Sequence, residues 1–165
     1  MKTLPLRAEC PIFRAADEVG DWWTLLILRD AFQGFTRFDE FEASLGIAPN
    51  MLAGRLKQLV ACGILEKRAY QQSPRRYDYV LTGKGRDFFP VFAALLGWSN
   101  RHLAGEGAAL LLAARDGGAV VEPQVVDAHS GIPLVLNNVV ATAGPKASRQ
   151  MRVRLESLKP VQPAS

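Results

Sequence analysis

The sequence predicts a mainly α-helical fold with one small antiparallel β-sheet, an α+β class. Residues 46–63 read GIAPNMLAGRLKQLVACG, in which Leu52, Leu56 and Leu59 recur at helical spacing. Two β-rich runs follow directly, ILEKRAY and RYDYVLT, and the polar residues 71–75 join them. A helix followed at once by a hairpin is therefore the centre of the predicted fold.

Composition limits the chain to one ordinary core with an appendage, since it has 165 residues, 48% of them hydrophobic. The longest apolar runs, such as WWTLLIL, are too short to span a bilayer, and the first residues lack the apolar stretch of a signal peptide. Cys10 and Cys62 form no disulfide framework. We therefore expect a cytoplasmic protein that does not contact membranes.

Positive charge is concentrated in one segment. Residues 50–86 carry eight Lys/Arg against two Asp/Glu, whereas residues 1–49 carry five against eight and the remainder seven against six. A local excess of this kind is typical of phosphate binding. A solvated basic face is the alternative.

The elements before the central helix begin and end at recognisable residues. Pro11 suits the first position of a helix with the sequence PIFRAADEV. Asp21 is a good N-cap for the next helix, WWTLLILRDAF, which is apolar nearly all round and ends at Gln33-Gly34. Two helices in succession are predicted here.

Thr36 is expected to cap a third helix, RFDEFEASL, and Phe38, Phe41 and Leu45 are expected to face inward. Residues 46–48 form a short turn, and Pro49 occupies the first position of the central helix, which Gly63 ends. The pair is a helix-turn-helix. With the basic hairpin as a wing, the whole is a winged helix-turn-helix.

After the wing, Thr82 is predicted to cap a long helix over residues 83–112, kinked at Pro90. This segment is more apolar than one small core requires, which predicts a homodimer face; packing across its own domain is the alternative. The residues predicted at the dimer interface are Ile12, Phe13, Phe89, Phe92, Leu96 and Trp98.

The remaining chain differs in character. AVVEPQVVD and IPLVLNNVV predict a C-terminal β-hairpin around residues 128–131, and residues 147–159 form a basic, helix-compatible tail. We therefore divide the chain into a DNA-binding and dimerisation domain over residues 1–112 and a C-terminal extension over residues 113–165.

These motifs together resemble the HxlR-type transcriptional regulators, a winged helix-turn-helix family allied to the MarR regulators. Five blocks carry the resemblance in the correct order: CPI at 10–12, D-x-WTLLILRD at 21–30, G-x-x-RF-x-x-F at 34–41, GI-x-P-x-ML-x-x-RLK-x-L-x-x-x-GIL at 46–65, and P-x-R-Y-D-Y-x-LT-x-x-G at 74–85. The resemblance implies a homodimer that binds pseudo-palindromic operator DNA, with the first helix and the long post-wing helix at the interface.

Two positions qualify the resemblance. Ala48 stands where similar proteins usually carry a hydroxyl, so the central helix lacks a side-chain N-cap, at a cost of about 1 kcal/mol. Gly54 lies on the groove-facing side, where it either allows close approach to DNA or is merely tolerated. The C-terminal hairpin lies beyond the family's core.

Six residues are predicted to bind double-stranded DNA: Asn50, Gly54, Arg55, Lys57, Arg75 and Arg76. Asn50, at the start of the central helix, can bond an adenine edge or make only local hydrogen bonds. Lys57 is expected at a phosphate, and Arg55 is expected either to reach a phosphate or to bridge to the acidic helix before it. Arg75 and Arg76 flank the wing tip and are expected to grip phosphate or enter a minor groove.

Cys10 is predicted as a redox sensor because a helix N-terminus favours the reactive thiolate, and the family resemblance implies sensing at this CPI position. The alternative is a small packing residue, as expected for Cys62. Motifs for catalysis, metal ligation or a cofactor are lacking. The sequence thus predicts a homodimeric repressor answering a redox, electrophile or small-molecule effector signal; a winged-helix protein-protein adaptor is the alternative.

Overall fold

A computed structural model describes residues 9–158 of the protein. They form two compact units: residues 15–121, and residues 9–14 together with 122–158. Among the described residues, no helix is both long and apolar enough to cross a lipid bilayer. The boundary between the units falls within the first helix, and each unit is described separately below.

The first unit is mainly helical, as predicted, and contains two two-stranded antiparallel sheets. Its elements, in chain order, are α1 (Pro11–Val19, shared with the other unit), α2 (Trp22–Phe32), α3 (Phe38–Leu45), α4 (Pro49–Ala61), β1 (Leu65–Gln72), β2 (Arg75–Leu81), α5 (Gly83–Asp87), α6 (Phe89–His102), β3 (Leu112–Ala113) and β4 (Val120–Val121). The helix-turn-helix is α3 and α4, and the wing is β1 and β2.

Most predicted helix ends are confirmed. The Asp21 carboxylate accepts hydrogen bonds from the backbone N–H groups of Trp23 and Thr24, at 3.1 and 3.3 Å, and so caps α2. Gly46 takes the left-handed conformation, with φ of 59°, in the turn between α3 and α4. This conformation costs a glycine little, and it lets the chain turn within three residues.

The predicted Thr36 cap of α3 is wrong. The helix begins at Phe38, and the Glu40 carboxylate accepts the backbone N–H groups of Thr36 and Arg37, at 2.9 and 2.8 Å. The Thr36 hydroxyl instead donates to Asp78 Oδ1 on β2, at 3.1 Å. Because the wing folds back beside α3, it offers this hydroxyl an acceptor 42 residues away.

The core lies between α2, α3, α4 and the start of β1. The predicted apolar face of α4 is confirmed, since Leu52, Leu56 and Leu59 are all fully buried. Phe41 of α3 is buried with them, and Phe38 and Leu45 pack against this core half-buried. Fixing one face of α4 in the core leaves its opposite face to solvent.

The wing is an antiparallel pair whose register runs from Leu65 opposite Leu81 to Gln72 opposite Arg75. Its strands reach further than the sequence predicted, so only Ser73 and Pro74 remain at the tip. At the base, a side chain on Gly85 would bring its Cβ within 2.3 Å of the Ile64 carbonyl oxygen. Glycine is required there for α5 to begin against the wing.

The predicted long helix over residues 83–112 is wrong in length. Two helices occupy the segment, α5 and α6, and they meet at Phe88, just before Pro90. Proline lacks the N–H that would continue the helical ladder, so a break replaces the expected kink. Helix α6 ends at His102, because Gly105 and Gly107 follow and glycine lowers helix propensity. Residues 112–113 instead form β3, which pairs with β4.

The second unit contains the predicted turn and tail. Around residues 128–131, one β-bridge joins Val126 to Pro133, so the hairpin is much shorter than expected. Prolines 123 and 133 lack the N–H that longer ladders need. Within the predicted tail lies α7 (Arg149–Glu156), which the Ser148 hydroxyl caps by accepting the Met151 N–H. The tail's last residue, Lys159, lies outside the described residues.

Candidate nucleic-acid interface

The face of α4 opposite the core carries the predicted contact residues. Asn50, Gly54 and Lys57 are all exposed. Ala48 precedes the helix without any side-chain cap, and Pro49 is its first residue, as predicted. A helix that is anchored by leucines on one side and offers an amide and an ammonium on the other is suited to entering a DNA groove.

Gly54 has open space around it. A Cβ built on this residue meets no atom within 4 Å. No packing contact within the described chain therefore requires glycine at this position. A larger side chain would extend only into open space.

Arg55 already has a partner inside the protein. Its Nη2 lies 3.0 Å from Asp21 Oδ2, and its Nη1 donates to Gln58 Oε1 at 3.3 Å. Both partners of the ion pair are about one third exposed. Arg55 therefore forms an ion pair, but with the residue that caps α2 and not with the acidic helix α3 that the sequence suggested. The DNA contact of Arg55 stays a prediction.

Positive charge remains unneutralised at α4 and the wing. Three of the eight basic residues in 50–86 have carboxylate partners: Arg55 with Asp21, Arg68 with Glu66, and Lys84 with Glu18. Within the described residues, the other five form no ion pair: Lys57, Lys67, Arg75, Arg76 and Arg86. Of these, Arg86 donates to the Leu81 carbonyl oxygen at 2.7 Å. The unpaired charge is thus largely on the exposed face of α4 and along the wing.

Glu66 and Arg68 on β1 show how one of these basic residues is neutralised. The Arg68 guanidinium donates two hydrogen bonds to the Glu66 carboxylate, at 3.0 and 3.1 Å. These bonds, and the positive charge itself, lower the pKa of Glu66 below its ordinary value. This carboxylate therefore stays ionised near neutral pH and neutralises Arg68, and Arg68 contributes little to a phosphate-binding surface.

The wing also carries an aromatic and cationic cluster that the sequence analysis missed. The Lys67 ammonium lies 3.9 Å from the ring centroid of Tyr77, and the Arg75 guanidinium lies 5.7 Å from the same ring. Tyr77 and Arg75, but not Lys67, line an open cleft of about 360 Å³ together with Tyr70 and Tyr79. The spacing of Tyr77 and Tyr79 by two residues could have revealed it, since alternate residues share one face of a strand.

The two cysteines lie in different surroundings. Cys10 is half-buried directly before α1, where its carbonyl oxygen accepts the Arg14 N–H at 3.1 Å. Cys62 is half-buried at the end of α4, and its thiol donates to the Leu59 carbonyl oxygen at 3.5 Å. The packing role expected for Cys62 fits this contact.

The predicted dimer residues differ in exposure. Ile12, Phe89 and Trp98 are 78%, 39% and 48% exposed, whereas Phe13, Phe92 and Leu96 are half-buried. Three exposed apolar residues of α6 share one face of the helix because they are spaced by four and three residues. We call them the α6 stripe: Val91, Leu95 and Trp98. The sequence analysis placed only Trp98 of these at the interface, because apolar residues occur on every side of this helix.

The chain is similar to known transcriptional regulators. The family model described as HxlR-like helix-turn-helix matches residues 18–106, just over half of the chain. The HTH-type transcriptional regulator Rv3095 of Mycobacterium tuberculosis (strain ATCC 25618 / H37Rv) is 37% identical over 133 residues, which cover 80% of this chain and 84% of that protein.

Two solved structures are also similar. The candidate transcription factor PA1607 has a TM-score of 0.76 and 39% identity, covering 83% of this chain and 96% of its own. The redox regulator HypR in its reduced form has a TM-score of 0.53 and 30% identity, covering 56% of this chain and 95% of its own. The match to PA1607 covers more of this chain than residues 18–106, which the family model covers.

Proposed function

This chain belongs to the HxlR-like helix-turn-helix family of transcriptional regulators, and on that premise we propose that it is a sequence-specific DNA-binding protein that acts as a homodimeric repressor. The observation that carries the proposal is the distribution of unpaired cations. Lys57 on α4 and Arg75 and Arg76 at the wing tip have no carboxylate partner among the described residues. Asn50 is an exposed polar residue at the start of α4.

Each of these groups has a distinct role in the proposal. Asn50 reads a base edge in the major groove, because its amide can bond the N6 and N7 atoms of adenine together. Lys57 neutralises a phosphate beside that groove. Arg75 and Arg76 hold the neighbouring backbone or enter its minor groove, and so fix the register of α4 on the duplex.

Homodimerisation completes the proposed function. A symmetric pair of winged helices reads two half-sites about 34 Å apart, one turn of DNA. The α6 stripe supports this step, since exposed apolar residues on one helix face favour burial against a second copy. We assign the interface to the α6 stripe together with Phe89, and to Ile12 and Phe13 of the first helix.

The experiment is a gel-shift titration with the promoter region of the protein's own operon, at moderate salt and with excess unrelated duplex. We expect a specific complex that survives the competitor. Complete loss of the shift under competition, with the protein folded and dimeric, would contradict sequence-specific binding and favour a protein-protein adaptor. A reporter driven by the same promoter then distinguishes repression, in which deletion of the gene raises expression, from activation.

Cys10 is the proposed redox sensor. The similar protein HypR is named a redox regulator, and Cys10 is a free cysteine that lies half-buried directly before α1. Operator binding of reduced, oxidised and Cys10→Ser protein tests this, with Cys62→Ser as the matched control. Redox-dependent binding that disappears only in Cys10→Ser supports the sensor. Binding that ignores oxidant in every form would assign the signal to a small molecule instead.

A further inference from the structure

A cavity of about 700 Å³ lies within the unit formed by residues 9–14 and 122–158. Its size is in the range of pockets that hold small organic ligands. The residue ranges that form it lie outside residues 18–106, which match the family model. One hydrogen bond joins these ranges, because the Glu9 carboxylate accepts the Ser148 N–H at 3.1 Å.

Three cations line this cavity without a carboxylate partner. They are Arg14, Lys146 and Arg154, which come from α1, the loop before α7 and α7 itself. In the part of the chain that the structure describes, none of the three forms an ion pair. The single lining carboxylate, Glu9, accepts the Ser148 N–H and forms no ion pair with any of the three, so three positive charges face one negative charge. The cavity therefore has an unbalanced positive wall.

The rest of the lining is largely aliphatic. Met151 and Leu155 are half-buried and lie on α7, four residues apart and so on one face of the helix. Prolines 11 and 145 and two alanines complete the apolar part. A bare inorganic anion would leave this surface wet, whereas an anion with an apolar body would cover it.

We propose that this cavity is a binding site for a small organic anion with a carboxylate head and an apolar body. The carboxylate pairs with Arg154, Arg14 and Lys146, and the apolar body packs against Met151 and Leu155. Its role as an effector site rests on the proposed function, because only a DNA-binding protein would convert occupancy into regulation. Binding itself does not depend on that function.

The test therefore uses no DNA. Octanoate is titrated into the full chain by calorimetry, with 1-octanol as the uncharged analogue and inorganic phosphate as the anion without an apolar body. Cys10 lines the cavity and reports occupancy locally, so the rate of its alkylation by iodoacetamide is followed in the Cys62→Ser background. We expect saturable binding of one octanoate per chain, with protection of Cys10 over the same concentration range.

Helix α7 provides a matched pair of variants. Arg154 lines the cavity and Arg152 does not, although both are exposed arginines of the same helix. Removing a charged hydrogen-bonding partner should weaken octanoate binding about tenfold or more in Arg154→Ala, and should leave it unchanged in Arg152→Ala. Lys146→Ala, in a loop, is the second variant and avoids any effect on helix stability.

The outcomes separate clearly. The site is supported if octanoate protects Cys10, if Arg154→Ala or Lys146→Ala weakens this protection, and if Arg152→Ala leaves it unchanged. Equal binding of octanol and octanoate overturns it, as does phosphate binding as strong as that of octanoate. Absence of saturable binding, or equal losses in Arg152→Ala and Arg154→Ala, also overturns it. Failure of operator binding with octanoate binding intact would contradict the proposed function alone.

Discussion

Arg55 of α4 is held 3.0 Å from Asp21, the residue that caps α2. The two oxygens of this carboxylate have different tasks. Oδ1 accepts the backbone N–H groups of Trp23 and Thr24, while Oδ2 accepts the guanidinium. The Asp21 side chain thus supplies an acceptor to two backbone N–H groups at the start of α2, and it also links that helix to α4. The orientation of the exposed face of α4 depends partly on this contact.

We predict that Asp21→Ala lowers the free energy of unfolding by about 1–2 kcal/mol, because it removes both the cap and a partly exposed ion pair. Asp21→Asn should cost clearly less, since an amide oxygen can still cap α2. Urea unfolding of both variants measures the difference. Arg55→Ala removes the ion pair and the hydrogen bond to Gln58 but keeps the cap, so a double-mutant cycle with Asp21→Asn should show coupling. Equal losses in the alanine and asparagine variants would assign no stabilising role to the cap.

The Glu40 carboxylate predicts a dependence of stability on pH. The N–H groups of Arg37 and then Thr36 lower its pKa below the ordinary 4.5. Because the folded-state pKa is depressed, this carboxylate contributes its full stabilisation above pH 4.5, and the contribution is lost as pH falls through the lowered value. The free energy of unfolding of the protein minus that of Glu40→Gln should therefore shrink as pH falls from 7 to 3. A difference that stays constant over this range would contradict the role of Glu40.

These contacts show what sequence alone could predict. The Asp21 cap, the leucine face of α4 and the turn at Gly46 follow from residues close in the chain, and the structure confirms them. The Thr36 hydroxyl bond to Asp78 joins residues 42 apart and depends on where the wing lies, so helix-capping rules misplaced it. The length of the helix after the wing was wrong for a different reason, because apolar periodicity does not show where a helix breaks.

In the candidate site, too, features set by residues close in the chain were predicted, and features set by distant residues were not. Helical spacing placed Asn50 and Lys57 on the exposed face of α4. That inference requires only that the leucine face of the helix (Leu52, Leu56 and Leu59) is buried. The internal partner of Arg55 became definite only with the fold, since Asp21 is 34 residues away. Which cations remain unpaired is a tertiary property, and that property supports the wing tip as a phosphate-binding surface.

For the base-reading role, we predict that Asn50→Ala loses discrimination at one base pair of the operator by about 1–3 kcal/mol and keeps its affinity for unrelated DNA. Lys57→Ala provides the contrast, because loss of a phosphate contact weakens all sequences alike. Titrations with a set of single-base operator variants measure both. Loss of affinity by Asn50→Ala to the same extent on every sequence would remove base reading from this residue.

Replacing both wing-tip arginines by alanine should flatten the plot of log affinity against log salt by roughly two units, because two phosphate neutralisations are lost. The pair Arg115→Ala and Arg149→Ala, combined in one chain, is charge-matched and belongs to neither α4 nor the wing strands, and it should leave the slope unchanged. Fluorescence anisotropy at four or more salt concentrations gives the slopes. If the two double variants have the same slope, net charge and not the wing determines the affinity.

Dimerisation through the α6 stripe gives the last prediction. Trp98 and Leu95 are 48% and 44% exposed and lie on one face of α6, so a second copy would remove both from water. A buried carboxylate at either position would have no partner there, and we expect Trp98→Glu and Leu95→Glu to be monomeric by light scattering at micromolar concentration. Val140→Glu is the control, because Val140 is 90% exposed and lies outside the stripe. It should remain dimeric, and all three variants should keep the helical circular dichroism of the unchanged protein. A dimer that persists in both α6 variants would place the interface elsewhere, and a monomer in the unchanged protein would contradict the homodimer itself.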